Sequence, residues 1–217
     1  MSQPRWPVVL FDLDGTLADT IALILGSYAH ATRTVLGRAA SVEESRGWIG
    51  MTLADIFAER YPEHADDLMA AYLDWNLAHL DTMVEPYAGV HGLLAELDAA
   101  GVRTGVVTSK RRSSAERTLD VVGLTDLIEI IGTMEDTDRH KPAPDPLLRA
   151  LDAVGRAPHE VVYVGDAIFD VQSARAAGVD AVAVTWGAGA REALHAERPH
   201  ALVDDVAALR AVLLGTQ

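Results

Sequence analysis

Near-continuous apolar runs rich in valine and isoleucine recur at Val8–Leu13, Val102–Thr108, Ile128–Gly132, Val161–Val164 and Ala181–Trp186. Runs of this kind, without clean alternation, suit strands buried on both faces. Between them the apolar period changes. Val90, Leu93, Leu94 and Leu97 share a helical face that stops at Ala100-Gly101, and Leu147, Leu148, Leu151 and Val154 share another that stops at Gly155. Glycine ends both because it accepts the left-handed conformation of a helix C-terminus. Strand alternating with helix predicts an α/β fold, a doubly wound parallel sheet with helices on both faces. Ligands of such sheets bind beyond the carboxyl ends of the strands.

The rhythm breaks after the first strand. From Leu17 to about Val84 the pattern is helical only, with one stripe at Ile21, Ile24, Leu25, Tyr28, Val35 and Leu36 and another at Leu68, Tyr72, Trp75 and His79. A shorter helix is expected from Thr52 to Arg60. The chain returns through Glu85-Pro86-Tyr87-Ala88-Gly89, where proline and glycine mark a connection and a hinge. The expected organisation is a core of residues 1–16 and 85–217 with an all-helical cap, 17–84, inserted at a strand tip and placed to act as a lid.

The chain's 217 residues suffice for one ordinary domain with an insert. With no cysteine, thiolate metal sites, disulfides and a cysteine nucleophile drop out. The opening residues MSQPRWP lack the layout of a signal peptide and no apolar run approaches ~18 residues, so a cytoplasmic protein with no membrane partner is expected. A formal charge of −14 argues against nucleic acid. It also means that an anionic substrate needs a local positive pocket. Among 18 basic residues only Lys110 and Lys141 are lysines, the compact point charges in a chain that otherwise uses arginine.

Four segments fall at or just after strand ends: Asp12-Leu13-Asp14-Gly15-Thr16, Thr108-Ser109-Lys110, His140-Lys141-Pro142 and Gly165-Asp166-Ala167-Ile168-Phe169-Asp170. On a parallel sheet these tips converge. Carboxylates at that density need a cation between them. An all-oxygen donor set without paired histidines favours Mg²⁺. Asp12 then stays ionised and can attack phosphorus. Lys141 would neutralise the phosphoryl charge, with the Thr108 hydroxyl and nearby backbone N–H groups on its oxygens. Asp14 can protonate the leaving oxygen and deprotonate the attacking water. Gly15 lets the backbone turn away beneath the phosphate.

In this order the four segments resemble the four motifs of the haloacid-dehalogenase-like hydrolases: DLDGT, VVTS, Lys141 and GDAIFD. The resemblance covers essentially the whole chain. It implies a Rossmann-like core with a helical cap and an aspartyl-phosphate on Asp12. It also implies a metal site of Asp12, Asp14 (through its backbone carbonyl), Asp166 and Asp170. By the same resemblance Thr108 contacts phosphate and Lys141 stabilises charge. Leu13, Gly15, Thr16, Ser109 and Lys110 are the adjoining phosphate- and substrate-binding candidates.

Asp14 argues against the carbon-attacking dehalogenase branch, and a cap without lysine argues against the phosphonatase branch. VVTSK, TMEDTDRHKPAPDPLLRAL and TWGAGAREAL look most like the phosphoglycolate phosphatases and the related bacterial inorganic pyrophosphatases; Arg139-His140 departs from them. A small phosphorylated metabolite is the implied partner, of a monomer or homodimer. A sugar phosphomutase and a non-hydrolytic phosphoacceptor switch stay open as alternatives. In the cap, Arg46-Gly47-Trp48-Ile49-Gly50-Met51-Thr52 is expected to dip into the site, with Arg46 and Trp48 reading the leaving group; the competing reading is that Trp48 and Ile49 plug the cap's own core. Trp186-Gly187-Ala188-Gly189 reads as a loop.

Overall fold

The computed structural model describes residues 4–215. Its main sheet contains β1 (Val8–Phe11), β4 (Arg103–Val107), β5 (Glu129–Gly132), β6 (Val161–Gly165), β7 (Asp180–Val184) and β8 (Ala201–Val203), all parallel, in the order β5-β4-β1-β6-β7-β8. β1 is central, so the chain's first strand carries its acids to the middle of the sheet. Alternation within the strands divides the core in two. Val9 and Phe11 of β1 face the layer that contains α5 (Val90–Ala99), α6 (Arg112–Val121) and α10 (Val206–Leu214). Val8 and Leu10 face α7 (Asp145–Val154), α8 (Ile168–Ala177) and α9 (Arg191–Ala196). Burial on both faces is why these strands are apolar throughout.

The insert consists of α1 (Ile21–Leu36), α2 (Val42–Arg46), α3 (Leu53–Arg60) and α4 (Ala65–Met83). It has its own core of Ile24, Tyr28, Trp48, Phe57, Leu68 and Tyr72. Tyr28 sits at the hub, edge-on to Trp48, Phe57 and Tyr72 with ring centroids 5.0, 6.0 and 4.9 Å away, a geometry that the ring quadrupoles favour. Thr52 caps α3, its hydroxyl accepting from the Asp55 N–H at 3.2 Å.

Four local expectations are revised. The neck between insert and sheet is not purely helical: β2 (Ala18–Asp19) pairs antiparallel with β3 (Glu85–Pro86). β8 is a sixth sheet strand, three residues long and at an edge, too short to leave a pattern. Leu148 is 45% exposed, its place on the buried face of α7 taken by Ala150. On α4 the buried line is Leu68, Tyr72, Asn76 and Leu80; Trp75 and His79 stack on each other at its flank, 4.0 Å between centroids. Among the described residues no helix is long and apolar enough to cross a membrane.

Candidate active site

Asp12 leaves β1 at its carboxyl end, Asp166 leaves β6, and Asp170 lies in the first turn of α8. All three are buried, and each offers a carboxylate oxygen within 4.8 Å of the others. Two of the three are fixed by neighbouring groups of the fold. Asp166 accepts from the Thr16 hydroxyl at 3.2 Å and from the Ala188 N–H at 2.7 Å. Asp170 accepts from the Ala167 N–H at 2.9 Å. Close backbone approach makes this possible: a Cβ at Gly15, whose φ is +77°, or at Gly187 would strike the Asp166 carboxylate.

Lys141 neutralises part of the cluster. Its ammonium lies 3.2 Å from Asp12 and 2.7 Å from Asp170, and it donates to the Tyr163 hydroxyl at 3.0 Å. Tyr163 in turn donates to the Val107 carbonyl at 2.6 Å, tying the lysine to β4 and β6. Burial alone would lower the Lys141 pKa, but the facing Asp12 and Asp170 carboxylates reverse this and hold it well above the ordinary lysine value. Burial pushes the Asp12 carboxyl up to about 7, opposed by Lys141 and reinforced by Asp170 and Asp14. Asp166 is raised by burial and then by Asp170 and Asp12.

One ammonium among three carboxylates leaves the cluster short of positive charge. Asp12 Oδ1 is buried with no partner among the described residues. An orphaned oxygen in an all-oxygen group is the environment a hard divalent cation satisfies. The residues present therefore fit a metal.

Above Asp12 a partly open cavity of about 80 Å³ lies between core and insert. Asp12, Asp14, Thr108, Ser109, Lys110 and Arg111 line its floor. The Lys110 ammonium is 2.7 Å from Asp14 Oδ1, so the second lysine is also drawn to a carboxylate of the cluster. Two contacts bridge the walls. Ser109 donates its hydroxyl to the Gly50 carbonyl at 2.9 Å, and His140 Nδ1 lies 2.9 Å from Asp55 of α3.

The strand tips bring the singled-out residues together, with Lys141, Asp166 and Asp170 buried beside Asp12 rather than lining the cavity, and with two further refinements. The Leu13 side chain is fully buried in the hydrophobic core, which leaves only its main chain toward the site. Thr16 faces Asp166 rather than open space. The roof differs from expectation. Trp48 is 1% exposed and packs against Tyr28 and Tyr61, so it plugs the cap's own core and does not line the cavity. Arg46 does not line it either; its guanidinium donates to the Ala188 carbonyl at 3.2 Å. It is Ile49, Gly50 and Met51 of that segment that reach the cavity. Helical spacing marks both as helix-end residues but carries no information on which wall each meets.

Other residues escaped the sequence reading. Tyr163 positions Lys141, and its one signal is a hydroxyl inside the apolar run VVYVG. The Gly187-Ala188-Gly189 loop supplies the N–H to Asp166, and its glycine pair was a visible sign of close approach. Tyr28, Tyr72 and Asn76 line the roof; the two tyrosines are hidden within helical stripes that read as core, and Asn76 lies outside the expected stripe.

Buried acids at the tips of a doubly wound sheet, roofed by a helical insert, form a candidate active site of the α/β class. Residues 9–184 match the family model described as haloacid dehalogenase-like hydrolase. The chain belongs to that family. It is 35% identical over 213 residues to pyrophosphatase PpaX of Bacillus pumilus, covering 98% of this chain and 99% of that one. It is 34% identical over 205 residues to pyrophosphatase PpaX of Bacillus cereus strain AH820, covering 94% and 95%. Among solved structures, a predicted phosphatase from Clostridium acetobutylicum superimposes with a TM-score of 0.87 at 25% identity, covering 99% of this chain and 100% of that one. A predicted phosphoglycolate phosphatase from Haemophilus somnus shares the fold, with a TM-score of 0.83 at 23% identity over 94% and 96% of the two chains.

Proposed function

We propose that the protein is a Mg²⁺-dependent phosphatase that hydrolyses a small phosphorylated metabolite through a phosphoryl-aspartate on Asp12. The carrying observation is the Asp12 carboxylate itself: it is central, buried, paired with Lys141 on one oxygen and without a partner among the described residues on the other. In this reading Asp12, Asp166 and Asp170, with the Asp14 main chain, would hold Mg²⁺, which when bound supplies positive charge for the acids and for the phosphoryl oxygens.

The chain's own groups then account for the chemistry. An Asp12 oxygen forms the new P–O bond as the ester P–O bond breaks, and Asp14 gives its proton to the departing oxygen. Lys141 and the Thr108 hydroxyl hold the phosphoryl oxygens. In the second half Asp14 takes a proton from water as that water attacks phosphorus, freeing phosphate and regenerating Asp12. The core, 1–16 and 85–217, would carry this chemistry while the cap, 17–84, keeps bulk water out.

Pyrophosphate as substrate is the second reading. It is favoured by the names of the Bacillus relatives and by Lys110 and Arg111 on the cavity floor, where a second phosphate group would find positive charge.

Phosphate release from p-nitrophenyl phosphate tests the main proposal. It should require Mg²⁺ and fall by about 10³-fold or more in Asp12→Asn, the scale of losing a nucleophile. Unimpaired turnover by Asp12→Asn would refute it.

A further inference from the structure

The roof of the cavity differs from its floor in one respect that bears on the leaving group. Among the described residues lining the cavity, the cap contributes no lysine, arginine or histidine. Its polar side chains there are Tyr28, Tyr72 and Asn76, set among aliphatic and thioether groups such as Ile24, Met51 and Met69. Tyr28 is 2% and Asn76 4% exposed.

Hydrogen bonds fix what these groups present. Ser27 donates its only hydroxyl proton to the Leu23 carbonyl at 2.7 Å, so it can only accept from Asn76 Nδ2, at 3.0 Å. That orients the amide and leaves Asn76 Oδ1 as an acceptor with no partner among the described residues. The Tyr28 hydroxyl likewise has no partner among them, and neither atom is sealed into the packing. Burial, with the Asp14 charge nearby, raises the Tyr28 pKa and keeps it a donor. Two deeply buried side chains thus offer an unpaired donor and an unpaired acceptor to one small cavity, an arrangement that costs stability unless a ligand completes it.

We propose that Tyr28 and Asn76 are specificity-determining residues that bind a hydroxyl of the departing alcohol, and that the substrates are small phosphate monoesters whose leaving group is uncharged and carries a free hydroxyl. This rests on the phosphatase reading above and narrows it. A hydroxyl both accepts and donates, so it satisfies the phenol and the amide oxygen together. A carboxylate or a second phosphate only accepts; it would face Asn76 Oδ1 and the Asp14 carboxylate with no cation in the roof to offset them. Of the floor's cations, Lys110 is already paired with Asp14, and Arg111 is exposed to solvent, which weakens its hold on an anion. The aliphatic lining suits a short carbon chain.

Initial-rate kinetics on glycerol 1-phosphate, propyl phosphate, 2-phosphoglycolate and pyrophosphate, with wild type, Tyr28→Phe and Asn76→Ala, decide the matter. Wild type should prefer glycerol phosphate to propyl phosphate by about tenfold or more in kcat/KM, and to both anionic-leaving-group substrates. Either variant should cut the glycerol-to-propyl ratio at least about fivefold; a merely structural role would depress both esters alike and keep the ratio. An unchanged ratio in both variants overturns the proposal, as does a wild-type preference for pyrophosphate or phosphoglycolate, and the phosphatase reading survives both results. Failure of that reading looks different: none of the four compounds, nor p-nitrophenyl phosphate, would release phosphate.

Discussion

The floor and roof of the cavity are built by opposite means. The floor takes its groups from loops that leave parallel strands, where ladder hydrogen bonds fix each strand end to its neighbours. Asp12, Lys141, Asp166 and Asp170 are consequently held by ion pairs and backbone N–H groups within a rigid frame. The roof takes its groups from helix faces whose rotation is set by aromatic packing around Tyr28. It meets the core through a two-residue ribbon, through Leu23 and Leu80 buried in the sheet's own hydrophobic core, and through polar contacts such as Ser109 with Gly50 and His140 with Asp55. The contrast teaches where each property resides. Charge that must not move sits on the sheet, and the groups proposed to choose among substrates sit on the helical insert.

Lys141→Met should strike this contrast hardest. It strips the buried carboxylates of their ammonium, and unpaired buried charge costs about 3–5 kcal/mol. Urea unfolding at pH 8 without metal should show a loss of that size, and kcat with Mg²⁺ should fall by about 10²-fold or more. A variant with wild-type stability and turnover would mean the floor is not organised around this lysine.

Trp48→Ala probes the other wall. Deleting a buried indole costs about 3–5 kcal/mol, read as a lower melting temperature. If the ring were a substrate contact instead, KM would rise while the melting temperature held.

A smaller effect separates the walls by pH. The Asp12 carboxyl stands at about 7 in the folded protein against an ordinary value of 3.8. A group raised in this way favours the fold fully below pH 3.8, and that contribution is lost as pH rises through about 7. Bound Mg²⁺ replaces the proton. Its stabilisation, measured as a thermal shift, should therefore grow between pH 5 and pH 8, and should vanish in a variant lacking the Asp12 and Asp166 carboxylates. An equal shift at both pH values would show that the metal is held elsewhere.

Much of the floor was legible because its residues carry chemistry that apolar packing does not explain. Two aspartates at the tip of an apolar run, a rare lysine before a proline, and a GDxxxD segment each demand a reason, and convergence on a parallel sheet supplies a common one. The roof was not legible in this way. Tyr28, Tyr72 and Asn76 sit at spacings that any buried helix face shares, and Trp48 could have faced either way. Edge strand β8 and the ribbon at the neck are too short for periodicity to register.

The amino-acid order alone therefore determined the alternation of strand and helix, the inserted helical segment and the identity of the acids and lysines, since burial on two faces and concentrated charge both leave local marks. Only the tertiary structure decided that Trp48 turns inward, that Tyr163 and the Ala188 N–H steady the acids, and that the roof presents a neutral donor and acceptor. Those outcomes depend on the rotation of one helix against another and on contacts between residues over a hundred positions apart. No local pattern encodes either.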